Sequence, residues 1–85
     1  MASVLLYASG SCAYCVRAEM LLKSKGVAEI DKVRVDIDPL KREEMMRRTG
    51  RRTVPQIYIG AVHVGGFDDL AALDRAGKLD ALLAA

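Results

Sequence analysis

The chain has 85 residues, which is the size of a single domain over 1–85 that folds without disulfide staples or a structural metal. Its hydrophobic share of 52% and charged share of 28% are those of globular proteins, and they exclude a disordered or membrane-embedded chain. With 13 basic and 11 acidic residues, the net charge of +2 is too small for a dedicated nucleic-acid binder, so neither nucleic acid nor membrane is expected as a partner.

The chain is predicted to begin with a strand and a helix. Val4–Ala8 is a continuous apolar run bounded by a Ser-Gly-Ser segment, which is typical of a central strand buried on both faces. From Ala13 to Lys25 apolar residues recur at helical spacing, and Gly26 supplies a stop signal. A second strand is predicted at Lys32–Ile37, where polar and apolar residues alternate.

The second helix has clear signals at both ends. Asp38 is a suitable cap, Pro39 suits the first turn, and Gly50 ends the helix. Two i,i+4 ion pairs are expected on its surface, Glu43 with Arg47 and Glu44 with Arg48.

The last third of the chain predicts a hairpin and a helix. Gln56–Ile59 and Ala61–Val64 form the hairpin around Gly60, and Phe67–Leu73 continues at helical spacing. A leucine set packs as a tail: Leu79, Leu82 and Leu83. The predicted fold class is α/β, with a four-stranded mixed sheet flanked by three helices in the order βαβαββα.

The two cysteines stand one helical turn apart at the start of the first predicted helix, in the segment Cys12-Ala13-Tyr14-Cys15. A thiol at this point faces unpaired backbone N–H groups and the positive end of the helix dipole, which favour the thiolate. Cys12 is therefore the expected nucleophile and Cys15 the resolving thiol. Because no export signal is visible, such a redox pair is expected in the cytoplasm.

Two features have more than one interpretation. A Cys-x-x-Cys pair is also half of a zinc site, but the single histidine, His63, lies in a predicted strand without a second ligand nearby and is interpreted as an ordinary strand residue. The basic cluster of Arg47, Arg48, Arg51 and Arg52 contains no aromatic residues, and it is either a solvated helix end or an anion-binding surface.

Two further segments are candidate binding elements. Pro55 stands at the entrance of the third strand, where it cannot donate a ladder hydrogen bond, and this indicates a special turn. The segment Gly65–Asp69 combines close backbone approach, helix N–H groups and carboxylates, which suits an α-amino acid end such as the γ-glutamyl group of glutathione. Simple helix capping by Asp68 or Asp69 is the alternative.

Three segments, in this order and spacing, resemble those of the short bacterial dithiol glutaredoxins, over essentially the whole chain. They are Cys12-Ala13-Tyr14-Cys15, Thr53-Val54-Pro55-Gln56-Ile57-Tyr58-Ile59 and Gly65-Gly66-Phe67-Asp68-Asp69-Leu70. The resemblance implies a thioredoxin fold with its active site at the N-terminus of the first helix, and it supports a cis Val54–Pro55 bond. It also implies a monomer that uses glutathione to reduce protein disulfides and glutathionylated proteins.

The resemblance further implies roles for individual residues. Cys12 would form the mixed disulfide with glutathione, and Cys15 would resolve it. The predicted glutathione-binding residues are Tyr14, Arg52, Thr53, Val54, Pro55, Gly66, Phe67 and Asp68. Of these, Thr53 and Val54 would pair with the tripeptide backbone, and the Asp68 carboxylate would hold the amine of the γ-glutamyl end.

The chain departs from the family pattern at two positions next to Cys12. Ala13 stands where glutaredoxins commonly have proline, and it restores an N–H donor that should favour the thiolate. Ser9 stands where many have a lysine near the glycyl carboxylate of glutathione. The hypothesis is that Arg51 or Arg52 makes that carboxylate contact instead.

Two rival functions stay open at this point. Relatives that lack the proline include proteins that hold a [2Fe-2S] cluster between two subunits with glutathione as co-ligand, so a cluster-binding dimer ligated by Cys12 is the alternative. A glutathione-independent, thioredoxin-like reductant is the other, and the Gly65–Asp69 segment disfavours it.

Overall fold

A computed structural model describes all 85 residues. Its strands are β1 Val4–Ala8, β2 Asp31–Arg34, β3 Gln56–Ile59 and β4 Val62–Gly65. Its helices are α1 Ala13–Ser24, α2 Pro39–Thr49, α3 Phe67–Arg75 and α4 Leu79–Ala84. No helix combines the length and the apolar character that crossing a bilayer requires.

The four strands form one mixed sheet in the order β2-β1-β3-β4. β1 pairs in parallel with β2 and antiparallel with β3, and β3 pairs antiparallel with β4. The prediction of β1 as a central strand is therefore confirmed. The hairpin register shifts between Ile57 and Tyr58, so that Ile57 lies opposite Gly65 while Tyr58 lies opposite His63.

Core residues pack on both faces of the sheet, and the central strand β1 is therefore buried on both sides. On one face, Leu6, Ile57 and Ile59 pack with residues of α1, α3 and α4, including Leu22 and Leu70. On the other face, α2 covers a smaller cluster of Tyr7, Val35, Met45 and Tyr58. The sheet therefore holds α1 and α3, which carry the cysteines and the Gly65–Asp69 segment, on the same side.

The prediction of three helices is corrected to four. Gly77, at a φ of 73°, ends the turn after α3, and the chain then forms the short helix α4. Leu79 and Leu83 lie one turn apart on this helix and are buried in the core. The leucine set that was predicted as a packed tail is thus helical, although its packing role is as predicted.

Strand β2 is shorter than predicted and ends at Arg34. The guanidinium of Arg34 donates to both Asp36 oxygens at 2.8 and 2.7 Å, and the Gly10 N–H donates to Asp36 Oδ2 at 3.0 Å. This local network turns the chain away from the sheet edge. It also ties the segment after β2 to the loop that leads to Cys12.

The ends of α2 are as predicted, but its ion pairs are not. Asp38 Oδ1 accepts a hydrogen bond from the Leu40 N–H at 3.0 Å, and Gly50 at the C-cap has a φ of 71°. Neither predicted glutamate–arginine pair forms. Glu44 instead accepts a 2.6 Å hydrogen bond from the fully buried Tyr7 hydroxyl, which in turn accepts one from Arg48 at 2.9 Å.

Candidate active site

Cys12 is the N-cap residue of α1. Its backbone is extended, with φ −116° and ψ 107°, and its Sγ accepts a hydrogen bond from the Cys15 N–H at 3.1 Å. The sulfur thus takes the place that a serine or aspartate oxygen has in an ordinary helix cap. The donor is Cys15, not Ala13, whose restored N–H was expected to contribute.

The two thiols differ in environment. Both are free, and Cys12 is half-buried whereas Cys15 is 4% exposed. Burial, followed by the hydrogen bond with Cys12, raises the pKa of the Cys15 thiol to about 12. Cys15 is therefore a protonated, protected thiol at neutral pH, and Cys12 is the sulfur available to a substrate.

The segment Thr53–Pro55 lies beside Cys12. The Val54–Pro55 peptide bond is cis, as predicted. The Cys12 thiol is 3.8 Å from the Val54 carbonyl oxygen, and the Val54 N–H has no acceptor within the chain. A backbone donor close to the Cys12 sulfur is therefore left for an extended ligand to use.

The turn into α3 divides its two aspartates between two tasks. Asp69 Oδ2 accepts the Gly66 N–H at 2.9 Å and lies 3.2 Å from Arg51 Nη1, and these contacts, in that order of size, lower the pKa of Asp69. Asp68 is exposed and forms no ion pair within the chain. Capping therefore uses Asp69, while the Asp68 carboxylate stays free.

Gly65 makes this turn possible. Its φ of +114° is in the region that favours glycine, and a Cβ there would lie 2.3 Å from Asp69 Oδ2. Any side chain at this position would displace the carboxylate that caps α3. The close backbone approach predicted for the two glycines is thus needed at Gly65.

These elements surround a cleft of about 300 Å³. Ten residues line it: Tyr14, Arg51, Thr53, Val54, Pro55, Gln56, Gly66, Phe67, Asp68 and Asp69. Tyr14 is half-exposed and its ring lies 6.0 Å from that of Phe67, so the two rings form an apolar wall.

All of the predicted glutathione-binding residues except Arg52 line the cleft. Arg52 is exposed, and its carbonyl oxygen accepts a hydrogen bond from Arg42 at 3.3 Å. Of the two arginines that the sequence left open, Arg51 is the one whose guanidinium reaches the cleft. Sequence reasoning did not select Gln56, although a polar residue opening a run as apolar as Gln56–Ile59 was a usable signal.

The family model for glutaredoxin matches residues 4–64. The chain belongs to the glutaredoxin family. It is 53% identical to the glutaredoxin of Pseudomonas aeruginosa over the whole length of both chains. It is also 54% identical to glutaredoxin 3 of Escherichia coli K12, over 98% of this chain and 99% of that protein.

Solved glutaredoxins have the same architecture. The buckwheat glutaredoxin–glutathione complex superposes with a TM-score of 0.88 at 29% identity, over 98% of this chain and 77% of the other. The glutaredoxin of Brucella melitensis superposes with a TM-score of 0.84 at 52% identity, over 98% and 89% of the two chains. The predicted thioredoxin fold is confirmed, and the chain is a thiol–disulfide oxidoreductase of this family with a dithiol site.

Proposed function

We propose that the protein is a glutathione-dependent oxidoreductase that reduces glutathione mixed disulfides and protein disulfides. The observation that carries the proposal is the cleft that starts beside Cys12 and ends at the N-terminus of α3. It offers backbone pairing at one end, and helix N–H groups with a free carboxylate at the other. A tripeptide whose cysteine sulfur lies at Cys12 has complementary groups.

The polar groups of the cleft fit glutathione in particular. The free Val54 N–H suits the backbone of the cysteinyl residue, and the first-turn N–H groups of α3 suit the γ-glutamyl carboxylate. Asp68 suits the neighbouring amine, and Arg51 suits the glycyl carboxylate. A buckwheat relative of the same fold was solved as a glutathione complex, which supports the proposal.

The proposed reaction begins with attack by the Cys12 thiolate on the glutathione sulfur of a mixed disulfide. The Cys12–glutathione disulfide forms, the old disulfide breaks, and the substrate thiolate leaves and takes up a proton. A second glutathione thiolate then attacks the adduct, which gives glutathione disulfide and restores Cys12. One free glutathione thiol is thus consumed and one protein thiol is released for each mixed disulfide, so that one disulfide is broken and one is formed.

Protein disulfides require Cys15. After Cys12 has attacked a protein disulfide, the Cys15 sulfur attacks Cys12, releases the second protein thiol and leaves a Cys12–Cys15 disulfide for glutathione to reduce. Because burial and the contact with Cys12 raise the pKa of Cys15 to about 12, this sulfur must lose its proton as it attacks. In the route for mixed disulfides a second glutathione resolves the adduct, so that route does not depend on Cys15.

The iron–sulfur alternative stays a prediction. No group of three or more histidine, cysteine, aspartate or glutamate side chains is placed to hold a metal ion. One chain offers a cluster the accessible Cys12 only, since Cys15 is buried behind it. No contact in the structure favours this function over disulfide exchange.

The test compares wild type, Cys12→Ser and Cys15→Ser on a small glutathione mixed disulfide and on a protein disulfide, with glutathione and glutathione reductase. Wild type is expected to reduce both substrates, Cys12→Ser neither, and Cys15→Ser only the mixed disulfide. A folded wild-type protein that does not reduce the mixed disulfide would contradict the proposal. Loss of both activities in folded Cys15→Ser would contradict the monothiol route.

A further inference from the structure

We infer that His63 is a positioning residue for the glutathione cleft, because it orients the buried amide of Gln56, which in turn holds Thr53 at the cleft wall. The inference rests on the proposed function. It assigns a task to a side chain that lies outside the cleft and that sequence reasoning interpreted as an ordinary strand residue.

Gln56 has a buried amide side chain, with 1% exposure. Its Nε2 donates to the Thr53 carbonyl oxygen at 3.0 Å and lies 3.4 Å from Thr53 Oγ1. These two contacts connect the Gln56 side chain to Thr53, the first residue of the segment Thr53–Pro55. The backbone that faces a ligand is therefore fixed by an amide that must present its NH₂ group to Thr53.

The Thr53 carbonyl oxygen fixes the orientation of the Gln56 amide, and a donor on His63 completes it at the other end. Its Nε2 is 2.8 Å from Gln56 Oε1, and because a carbonyl oxygen only accepts, Nε2 must carry the proton. If the Gln56 amide were reversed, its oxygen would face the carbonyl oxygen of Thr53, and two acceptors would meet. Every donor therefore meets an acceptor only when His63 donates to the Gln56 oxygen and the Gln56 NH₂ group donates to Thr53.

The strand register places these residues together. Tyr58 and Gln56 lie two residues apart on β3 and share a face, and His63 on β4 lies directly opposite Tyr58. The rings of His63 and Tyr58 have centroids 5.0 Å apart. This tilted ring contact lies beside the hydrogen bond between His63 Nε2 and Gln56.

The charges around His63 support a neutral imidazole. Burial, then the charge of Arg51, lowers the pKa of His63, with Arg48 acting in the same direction and Asp69 opposing. A neutral imidazole with its proton on Nε2 donates to Gln56. Its Nδ1 then remains an acceptor and places no charge beside the Arg51–Asp69 pair.

The test compares His63→Leu with His63→Gln on a small glutathione mixed disulfide. Leucine removes the donor, whereas the glutamine amide can place a nitrogen close to the position of imidazole Nε2. We expect His63→Leu to raise KM about 3- to 10-fold with kcat little changed, since the loss is in substrate binding. His63→Gln should have a KM close to that of the wild type, because its amide replaces the donor. Urea unfolding of both variants shows whether a stability loss accompanies the change in KM.

The tautomer of His63 can be measured directly on the wild-type protein. Nitrogen-15 NMR of the imidazole is expected to show the Nε2–H tautomer at neutral pH. The Nδ1–H tautomer, an unchanged KM in His63→Leu, or an equal loss in folded His63→Gln would each overturn the inference. A wild type that is inactive on the mixed disulfide would instead overturn the proposed function, and the tautomer would still report on the His63–Gln56 contact.

Discussion

The Cys15 amide donates a 3.1 Å hydrogen bond to Cys12 Sγ, so the two cysteines are joined through the helix cap before any disulfide forms. The Cys12 sulfur therefore also caps the helix at whose N-terminus it lies. Serine is a preferred N-cap residue, whereas alanine has no acceptor. We expect Cys12→Ser to keep the wild-type free energy of unfolding and Cys12→Ala to lose about 1 kcal/mol.

Urea unfolding of the reduced protein measures this difference. Both substitutions remove the reactive sulfur, so they are matched in every respect except the cap. Equal unfolding free energies for Cys12→Ala and Cys12→Ser would show that the sulfur contact does not stabilise α1.

The unequal environments of the thiols predict selective alkylation. Burial and the hydrogen bond with Cys12 raise the pKa of Cys15 to about 12, so this thiol is protonated at pH 8, and it is also buried. Iodoacetamide should therefore label Cys12 and leave Cys15 unlabelled in the folded protein. Peptide mass spectrometry gives the site, and labelling in urea is the control in which both cysteines react. Preferential labelling of Cys15 in the folded state would reverse the assigned roles.

Arg51 and Arg52 form a matched pair for testing the carboxylate contact. They are adjacent, both exposed and equally charged, but only Arg51 lines the cleft and pairs with Asp69 at 3.2 Å. Arg51→Gln is expected to raise KM for a glutathione mixed disulfide about 3- to 10-fold, as loss of an exposed charged hydrogen bond does. Arg52→Gln should change KM by less than about twofold, because it alters only the distant charge. Steady-state kinetics at low salt measures both, and the opposite ranking would place the ligand carboxylate at Arg52.

The elements that local signals specify were predictable from the sequence. The Asp38 cap, the Gly50 stop and the hairpin all depend on residues within a few positions of one another. The contacts that were missed join distant residues. Local spacing pairs Glu44 with Arg48 one turn away, but Glu44 accepts a hydrogen bond from Tyr7, 37 positions earlier, because α2 packs across β1.

The same limit applied at the site. The motifs located the cysteines, the cis proline and the glycine turn, since each is visible in the order of the residues. The choice of Arg51 over Arg52 depends on where Asp69 lies after folding, 18 positions away. The link from Gln56 to His63 depends on a register shift between β3 and β4, which no local pattern encodes.

Acid stability provides a test of the network that ties β2 to the active-site loop. The Arg34 guanidinium, and then the Gly10 N–H, hold the pKa of Asp36 well below its usual range. Because the carboxyl of the unfolded chain takes up its proton first, at a pH of about 4, the stabilisation is complete above that pH and is lost as the pH falls further. The unfolding free energy should therefore decrease with acidification below about pH 4.

Substituting Asp36→Asn removes this titrating group. The variant is expected to be less stable than wild type at pH 7, with a shallower loss of stability between about pH 4 and pH 2, since it no longer binds an extra proton on unfolding. Arg34→Gln should also make the loss of stability shallower over this pH range. The losses in unfolding free energy from the two substitutions should not add in the double variant, because each breaks the same contact. Urea unfolding across this pH range measures the two single variants, the double variant and the wild type. Additive effects, or an acid slope in Asp36→Asn equal to that of wild type, would show that the Asp36 contact seen beside Gly10 does not bear on stability.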